Sequence, residues 1–471
     1  MPYPPDREPP ELAHLAGSYG LFIDGDVVEP AGGRSLPCVN PATGETLVEV
    51  AEADRRDVDA AVAAARRAQD RVWGRTPASQ RARYVYRIAE VIEERVRELA
   101  VLEALATGTP VRRTREVDVP QAAATFFSYA GWADKLAYAG LGSDPRPAGV
   151  AGQILPSDRP LLALARQVAP ALACGTTVVV KPAGTAPLAA LRFAEICQQV
   201  DLPPGVLNVV TGGDATGAAV AGHPGVDTVS VTGPAEVVRR VAAAVAGTRT
   251  RLRAEPGGPV PLLVFDDAPL GEAVEAVVDG TVQPHYGVAS HLLVQESVHD
   301  EVVAAVTRRM ARLRVGDPLD ANSDLGPVRT AARLRQVREL VTGAEADGVR
   351  RWSPPCELPD RGYWCPPTVL TGVTPAHRVA HAPVPGPVLP VLTFRTTDEA
   401  VATANGSRYG PAAAVWTGDG SRVLAVAGRL RAGTVWASTS HRSDPTVPGG
   451  GSTQYGGPGR HRHGLEAYLA V

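Results

Sequence analysis

The chain has 471 residues, a length that fits two large α/β domains better than one small core. Charged residues make up 21% of it and the formal net charge is −3, which gives no basic face for nucleic acid. No run of about 18 apolar residues predicts a membrane span, and residues 1–15 lack the pattern of a signal peptide. Five scattered cysteines without a zinc-ligand spacing indicate reduced thiols and no metal site. We therefore expect a cytoplasmic globular protein.

The predicted elements begin after residues 1–19, whose proline and charge content predicts a flexible arm. Apolar residues then recur at helical spacing over 54–72 and 80–107, which predicts two core-facing helices. Between 150 and 265, short β-branched runs alternate with helical segments. This alternation predicts a doubly wound, mostly parallel sheet with ligands at the carboxyl ends of its strands. A second α/β segment follows, and a glycine-rich tail ends the chain.

Several short stretches follow one another in an order typical of one protein family. They lie at 40–44, 129–135, 169–173, 181–183, 203–208 and 432–436. In these stretches the chain resembles the aldehyde dehydrogenase superfamily from about residue 20 onwards. The resemblance implies a fold with a doubly wound parallel-sheet dinucleotide-binding domain, a second α/β domain and a short oligomerisation excursion.

The resemblance also implies domain boundaries. It places a Rossmann-like dinucleotide-binding domain over 20–254, with a shortened oligomerisation segment at 136–148. A catalytic-type α/β domain is expected over 255–440. The tail 441–471 is expected to return to the first domain and the interface.

The residue at the position of the family's catalytic nucleophile is Tyr286, or Gly287 if the loop is shifted by one. The family attacks the aldehyde with a cysteine thiolate, but the stretch 283–294 contains no cysteine. A phenol with a pKa near 10 is a poor nucleophile at pH 7 compared with a thiol near 8.5. Loss of a catalytic nucleophile costs on the order of 10⁴ to 10⁶ in rate. We therefore expect Tyr286 to be inactive.

Two further catalytic positions can be carried over from the family. Asp158 stands where the family has the asparagine amide that holds the oxyanion, and an anionic carboxylate would repel a developing alkoxide. Removing one such donor costs roughly 10² to 10³ in rate. Glu255 retains the glutamate that activates water in the family. A carboxylate held by loop amides or an arginine is the alternative interpretation of Glu255.

The predicted cofactor site has lost polar groups at the adenosine end. Lys181 is retained at the position that binds the adenosine ribose, but the acid that usually follows three residues later is Gly184. At the phosphate-facing helix start the chain has Gly233 and Pro234, without the family's hydroxyl donors.

The nicotinamide end has changed as well. Pro383 replaces the carboxylate that grips the nicotinamide ribose, and Pro385 replaces the aromatic ring behind the nicotinamide. Each charge-assisted hydrogen bond lost is worth about 1.5 to 3 kcal/mol. We therefore expect no cofactor, or weak binding of NAD(P).

These substitutions favour a catalytically inactive protein of the aldehyde dehydrogenase type. It is expected to be a structural or regulatory subunit, forming a dimer with itself or with an active paralogue. One alternative is an active NAD(P)-dependent aldehyde dehydrogenase that uses Glu255 and an unrecognised nucleophile, for which Ser290 and His291 are neighbouring candidates. Another is a sensor that binds a small molecule in the former substrate tunnel.

Overall fold

The computed structural model describes residues 6–141, 144–282, 290–407, 409–439 and 464–470. The strands are, in chain order, β1 (Ser18–Tyr19), β2 (Leu21–Ile23), β3 (Asp26–Val28), β4 (Ser35–Val39), β5 (Thr46–Ala51), β6 (Arg146–Pro147), β7 (Val150–Ile154), β8 (Thr177–Lys181), β9 (Leu207–Val209), β10 (Thr228–Pro234), β11 (Arg251–Gly257), β12 (Pro261–Val264), β13 (His291–Gln295), β14 (Arg350–Trp352), β15 (Thr368–Val373), β16 (Val388–Phe394), β17 (Ala412–Trp416), β18 (Thr434–Ala437) and β19 (Leu469–Ala470).

Helices cover the sheets on both sides. They are α1 (Arg55–Arg71), α2 (Ala78–Glu94), α3 (Val96–Thr107), α4 (Val111–Arg113), α5 (Val119–Trp132), α6 (Pro160–Ala173), α7 (Leu188–Gln199), α8 (Asp214–Ala221), α9 (Ala235–Val245), α10 (Leu270–Val282), α11 (His299–Met310), α12 (Ala331–Ala346), α13 (Thr397–Asn405) and α14 (Gly420–Ala427). The start of α1 follows from local chemistry, because the side chains of Asp54 and Asp57 form a reciprocal capping box. Helix α3 ends at Gly108, whose φ of 76° favours glycine.

The first large sheet has the strand order β11-β10-β7-β8-β9-β2-β3 in the described residues. Strands β11 to β9 are parallel, and β2 and β3 add an antiparallel edge. Strand β8 shows why both faces are covered: Val178 and Val180 pack into one apolar cluster and Val179 into another, all fully buried. Such a continuous apolar run is typical of a parallel strand between two helical layers.

The second large sheet has the order β14-β15-β16-β13-β12-β17-β18 and is parallel except for β14. Its strands also alternate between two apolar clusters, with Leu263 on one face and Leu262 and Val264 on the other. The prediction of a doubly wound parallel sheet followed by a second α/β domain is confirmed. No helix among the described residues is long and apolar enough to cross a membrane.

The amino-terminal segment differs from the predicted flexible arm. Residues 6–19 pack against the folded body, because Glu8 is only 6% exposed and its carboxylate pairs with Arg97 and Arg115. Ala13 is fully buried in the core of the first domain. Near the other end of the chain, β19 pairs with β6 and the Tyr468 hydroxyl lies 3.0 Å from Ser230 Oγ in β10.

Candidate active site

The parallel sheet brings several of the predicted site residues to one edge. In the register of the sheet, Ile154 at the end of β7 is paired with Lys181 at the end of β8, and Thr232 in β10 is paired with Glu255 in β11. Asp158 follows β7 by four residues. Because the carboxyl ends of parallel strands meet at the same edge, these groups lie along one edge of the sheet. Of these groups, Asp158 also lines a cavity together with residues of the second α/β segment.

The carboxylate of Asp158 is held by two arginines that precede and begin α12. Arg329 Nη1 donates to Asp158 Oδ1, and Arg333 Nη1 donates to the same oxygen at 3.2 Å. Asp158 is 6% exposed. Burial raises the pKa of Asp158, but Arg329 and Arg333 outweigh burial and hold this pKa below its usual value. The carboxylate of Asp158 is therefore ion-paired with both arginines.

A second carboxylate, which sequence analysis missed, lies beside it. Asp118 is 1% exposed, and its Oδ1 accepts from Arg159 Nε at 2.7 Å and from Arg113 Nε at 3.3 Å. Arg159 caps α6 with a left-handed φ of 46°, an unusual conformation for a non-glycine residue. Arg113 at the end of α4 and Arg159 at the start of α6 therefore both donate to the buried carboxylate of Asp118.

Glu103 is a further buried acid, and its pKa is shifted in the opposite direction from that of Asp158. It is 2% exposed, and its Oε1 accepts a hydrogen bond of 2.7 Å from the Leu161 amide in the first turn of α6. Burial, with a smaller contribution from the nearby Asp118 charge, raises the pKa of Glu103 to about 8. At neutral pH the side chain is therefore mainly a neutral carboxylic acid.

Glu255 lies in β11, two residues before the end of the strand, and its carboxylate accepts hydrogen bonds from two neighbouring side chains. Arg253 Nη2 donates to its Oε1 at 2.7 Å, and Thr232 Oγ1 donates to its Oε2 at 3.0 Å. Partial desolvation raises the pKa of Glu255, but Arg253 and Thr232 bring it below its ordinary value, and 50% of its side-chain surface stays exposed. The alternative interpretation, a carboxylate held by an arginine, describes this geometry, and a lowered pKa makes the group a weaker base.

The cysteine thiols lie away from this cleft. Cys38, Cys174, Cys197 and Cys365 are buried, and Cys356 lies in a loop of the second domain. Burial raises the pKa of Cys38 to about 12 and, as the largest cause, that of Cys365 to about 11. None of the five lines the cavity that contains Asp158. Tyr286, at the position of the nucleophile, lies outside the described residues, as does Gly287.

The neighbouring pair Ser290 and His291 forms a satisfied structural unit. Ser290 Oγ lies 3.0 Å from His291 Nδ1 and also accepts from the Val260 amide at 3.1 Å. His291 Nε2 lies 3.0 Å from the Val379 carbonyl, which requires the proton on Nε2. Burial lowers the pKa of His291 to about 4. The imidazole is oriented by a backbone carbonyl instead of an acid, and it is a weak base.

The predicted cofactor residues fit a dinucleotide only in part. Lys181 is 5% exposed, and burial lowers its pKa to about 8 although Asp214 acts in the opposite direction. An ammonium there can bind a ribose hydroxyl or a phosphate. A side chain at Gly184 would place its Cβ 3.1 Å from the Gly212 carbonyl oxygen, so the acid of the family does not fit without a shift.

The other cofactor positions offer few polar groups. Pro234 precedes α9 with no side-chain cap, and Gly233 carries no donor side chain. Pro383 is exposed, and Pro385 lines the cavity beside Gly386. Prolines lack both an N–H donor and a polar side chain. The residues present thus fit an adenosine end better than a nicotinamide end.

A doubly wound parallel sheet packed beside a second α/β domain is typical of dinucleotide-binding folds. Residues 27–471 match the model of the aldehyde dehydrogenase family. The chain belongs to the aldehyde dehydrogenase family.

Two solved structures and one curated protein illustrate the likeness. Retinal dehydrogenase 2 of Homo sapiens is 37% identical over 475 residues, covering 96% of this chain and 90% of the relative. The NAD-dependent aldehyde dehydrogenase of Sinorhizobium meliloti superposes with a TM-score of 0.93 at 32% identity, covering 99% and 96% of the two chains. The indole-3-acetaldehyde dehydrogenase AldA of P. syringae, solved with NAD⁺ and IAA, gives 0.92 at 32% identity, covering 98% and 97%.

Proposed function

We propose that this chain is a member of the aldehyde dehydrogenase family that has lost thiol-dependent aldehyde oxidation. It acts as a structural or regulatory subunit, paired with a second copy of itself or with an active paralogue. The observation that carries the proposal is the ion pair of Asp158 with Arg329 and Arg333. The resemblance assigns the position of Asp158 to an oxyanion donor, and no cysteine of the chain lines the cavity that contains Asp158.

The magnitudes support this proposal. Loss of the nucleophile alone costs on the order of 10⁴ to 10⁶ in rate, and loss of an oxyanion donor costs roughly another 10² to 10³. Glu255, with its pKa lowered through Arg253, is also less suited to activate water. At the two positions that the resemblance assigns to the nicotinamide end, residues 383 and 385 are prolines, which offer no polar side chain.

A second candidate is an active NAD(P)-dependent aldehyde dehydrogenase. The known relatives favour this candidate over inactivity, because they are named as aldehyde or retinal dehydrogenases and several similar structures were solved with NAD⁺. Binding of NAD(P) is supported by those neighbours and by Lys181 at the end of β8. The third candidate, a small-molecule sensor, is supported by the cavity between the two domains.

Two measurements separate these candidates. Formation of reduced nicotinamide cofactor from a panel of aldehydes should be absent for the purified chain, and turnover that disappears in Glu255→Gln would overturn the proposal. Purification of the chain from its source at native level, followed by mass spectrometry, tests the subunit role. A stoichiometric family member that retains its cysteine, or a defined homodimer, is expected; a lone monomer would contradict the subunit role. The cytoplasmic location remains a prediction.

A further inference from the structure

The loop between β14 and β15 contains two cysteines in a mirror-symmetric sequence. Residues 353–356 are serine, proline, proline and cysteine, and residues 365–368 are cysteine, proline, proline and threonine. Residues 357–364 lie between the two cysteines. The two arms that lead from the strands to the cysteines therefore have the same length and nearly the same side chains.

The strands fix the register of these two arms. In the antiparallel pair of β14 and β15, Trp352 lies opposite Val369. The next pair in this register is Ser353 and Thr368, whose hydroxyl oxygens are 2.9 Å apart. Three residues further along each arm, the same register places the two cysteines opposite one another.

Prolines explain why the hydrogen-bonded ladder ends before it reaches the cysteines. Pro354, Pro355, Pro366 and Pro367 have no N–H group to donate. Proline also fixes its own φ near −65° and favours an extended conformation in the residue before it. The arms therefore lose their backbone hydrogen bonds, but they remain equally long and hold the cysteines at the same distance from the strands.

Electrostatics also indicate that the two thiols are neighbours. Burial raises the pKa of Cys365 to about 11, Arg338 and Arg351 act in the opposite direction, and Cys356 adds to the rise. An interaction between two such groups is strong only at short range. The influence of Cys356 on Cys365 therefore agrees with the position that the strand register gives the two residues.

The two cysteines differ in their access to solvent. Cys356 is partly exposed, whereas Cys365 is 7% exposed. Burial raises the pKa of Cys356 as well. A small oxidant in solution reaches Cys356 first, and Cys365 then lies opposite the modified sulfur. A reachable cysteine beside a second cysteine that resolves it is the arrangement of redox-responsive thiols.

The loop that the cysteines delimit joins the two domains. The amide of Tyr363 donates to the carbonyl of Pro41 at 2.9 Å, and the amide of Val328 donates to the carbonyl of Tyr363 at 2.7 Å. Val328 immediately precedes Arg329, which pairs with Asp158. A covalent link across the base of this loop would therefore stabilise a contact between the domains.

We propose that Cys356 and Cys365 form a redox-responsive dithiol, which closes to an intramolecular disulfide when the chain reacts with a low-molecular-weight disulfide such as glutathione disulfide. The Cys356 thiolate attacks one sulfur of this reagent, and the S–S bond of the reagent breaks to release one thiolate. The Cys365 thiolate then attacks Cys356 Sγ and releases the second thiolate. The reagent gains two electrons, and the two released thiolates take up the two protons that the cysteines lose.

This chemistry is independent of the proposed function. Neither cysteine lines the cavity that contains Asp158. Closure of the disulfide uses no aldehyde and no nicotinamide cofactor. Turnover of an aldehyde would therefore overturn the inactive function and leave the dithiol proposal intact.

Peptide mapping of the full chain tests the link. The folded chain is incubated with glutathione disulfide, its remaining thiols are blocked, and it is digested with trypsin without reduction. Cleavage after Arg361 separates the two cysteines, so the disulfide leaves peptides 352–361 and 362–378 joined. We expect the joined peptides in stoichiometric yield and their separation by a reducing agent. Absence of the joined peptides, or their formation only in urea-unfolded chain, would overturn the proposal.

Single variants test the order of the two steps. Cys365→Ser should trap Cys356 as a mixed disulfide with glutathione, whereas Cys356→Ser should leave the buried Cys365 unmodified. Cys197→Ser is the matched control, since Cys197 is 2% exposed and lies in α7, and it should leave the joined peptides unchanged. Equal modification of Cys365 in Cys356→Ser would contradict the assigned order. Mapping of the parent chain needs no variant, so it decides the proposal even if a variant fails to fold.

Thermal unfolding tests the effect of the link on the fold. The disulfide closes the loop 356–365, and the oxidised chain should melt about 2 to 5 °C above the reduced chain. This difference should disappear in Cys365→Ser. A disulfide that forms without raising the melting temperature would contradict its role in stabilising the contact between the domains.

Discussion

Asp158, at the end of the β7 segment, forms a buried ion pair with Arg329, which precedes α12 in the second α/β domain. The two residues are 171 positions apart in the sequence. The pair joins the two domains across the cleft, at the position for which the resemblance to the family implies a neutral amide. Its charge state and its partners therefore decide both the stability of the cleft and the chemistry that the cleft supports.

Replacement of Asp158 by asparagine should destabilise the protein. The amide keeps one acceptor but removes the negative charge that Asp158 contributes to its ion pairs with Arg329 and Arg333, so a loss of about 1 to 3 kcal/mol in the free energy of unfolding is expected. Urea denaturation measures it. Asp398→Asn is the control, because Asp398 is 84% exposed and its pair with Arg429 should contribute less than about 1 kcal/mol. Equal stability of Asp158→Asn and the parent chain would show that the ion pair does not hold the cleft.

Glu103 should make the protein less stable as the pH rises. Its pKa is raised from 4.5 to about 8 in the folded chain, so between these values the folded state binds more protons than the unfolded state. The free energy of unfolding must therefore fall from pH 4.5 to pH 8 through this group and then level off.

The isosteric change Glu103→Gln tests this pH dependence. Glutamine keeps an acceptor for the Leu161 amide and removes the ionisation. The variant should be more stable than the parent near pH 8 and similar to it near pH 5, measured by thermal unfolding across that range. The exposed Glu90→Gln should leave the profile unchanged. Parallel profiles for the parent and Glu103→Gln would contradict the raised pKa.

Removal of Arg253 should raise the pKa of Glu255. Arg253 Nη2 is 2.7 Å from Glu255 Oε1, and loss of an adjacent guanidinium raises a carboxyl pKa by about one unit or more. Carboxyl carbon NMR of Arg253→Met measures the shift, with the exposed Arg249→Met as control. An unchanged titration of Glu255 in Arg253→Met would mean that Arg253 does not set its basicity.

The pair Ser290 and His291 should be structural. Ser290→Ala removes the acceptor of the Val260 amide at 3.1 Å and should cost about 1 to 3 kcal/mol of stability. The unfolding free energy gives this cost. If the chain turns over an aldehyde or an ester and Ser290→Ala abolishes that turnover without a stability loss, Ser290 is instead a nucleophile.

Much of the fold follows from local patterns. The helix predicted over 54–72 is α1 (Arg55–Arg71), and the β-branched runs predicted between 150 and 265 include β8 and β12, which are covered on both faces. Periodicity and β-branched runs report such elements because burial on one or both faces dictates them. The prediction of a flexible arm was wrong for residues 6–19. Glu8 is held by Arg97 and Arg115, and because these residues are far away in the sequence, no local pattern indicates the contact.

The site was predictable at the positions that family motifs mark. Lys181 ends β8, Glu255 lies near the end of β11 and Asp158 follows β7 by four residues, while their roles in the site remain predictions. The arginines that bind these acids were not predictable. Arg253 is only two residues from Glu255, but no motif in the sequence marks it as a partner of that carboxylate. Arg333 is 175 positions away from Asp158, which it contacts. Side chains that meet across two domains leave no local signal in a single sequence. The domain boundaries at 254 and 440 and the shortened segment 136–148 remain predictions.

The rate of cofactor reduction is the most direct test of the inactive function. It should be measured with purified full-length chain, saturating NAD⁺ or NADP⁺ and a panel of aldehydes, beside a family member that retains its cysteine. A rate at least about 10⁴-fold below that of the relative is predicted, from the loss of the nucleophile alone. A rate comparable to that of the relative, abolished by Glu255→Gln, would contradict the account.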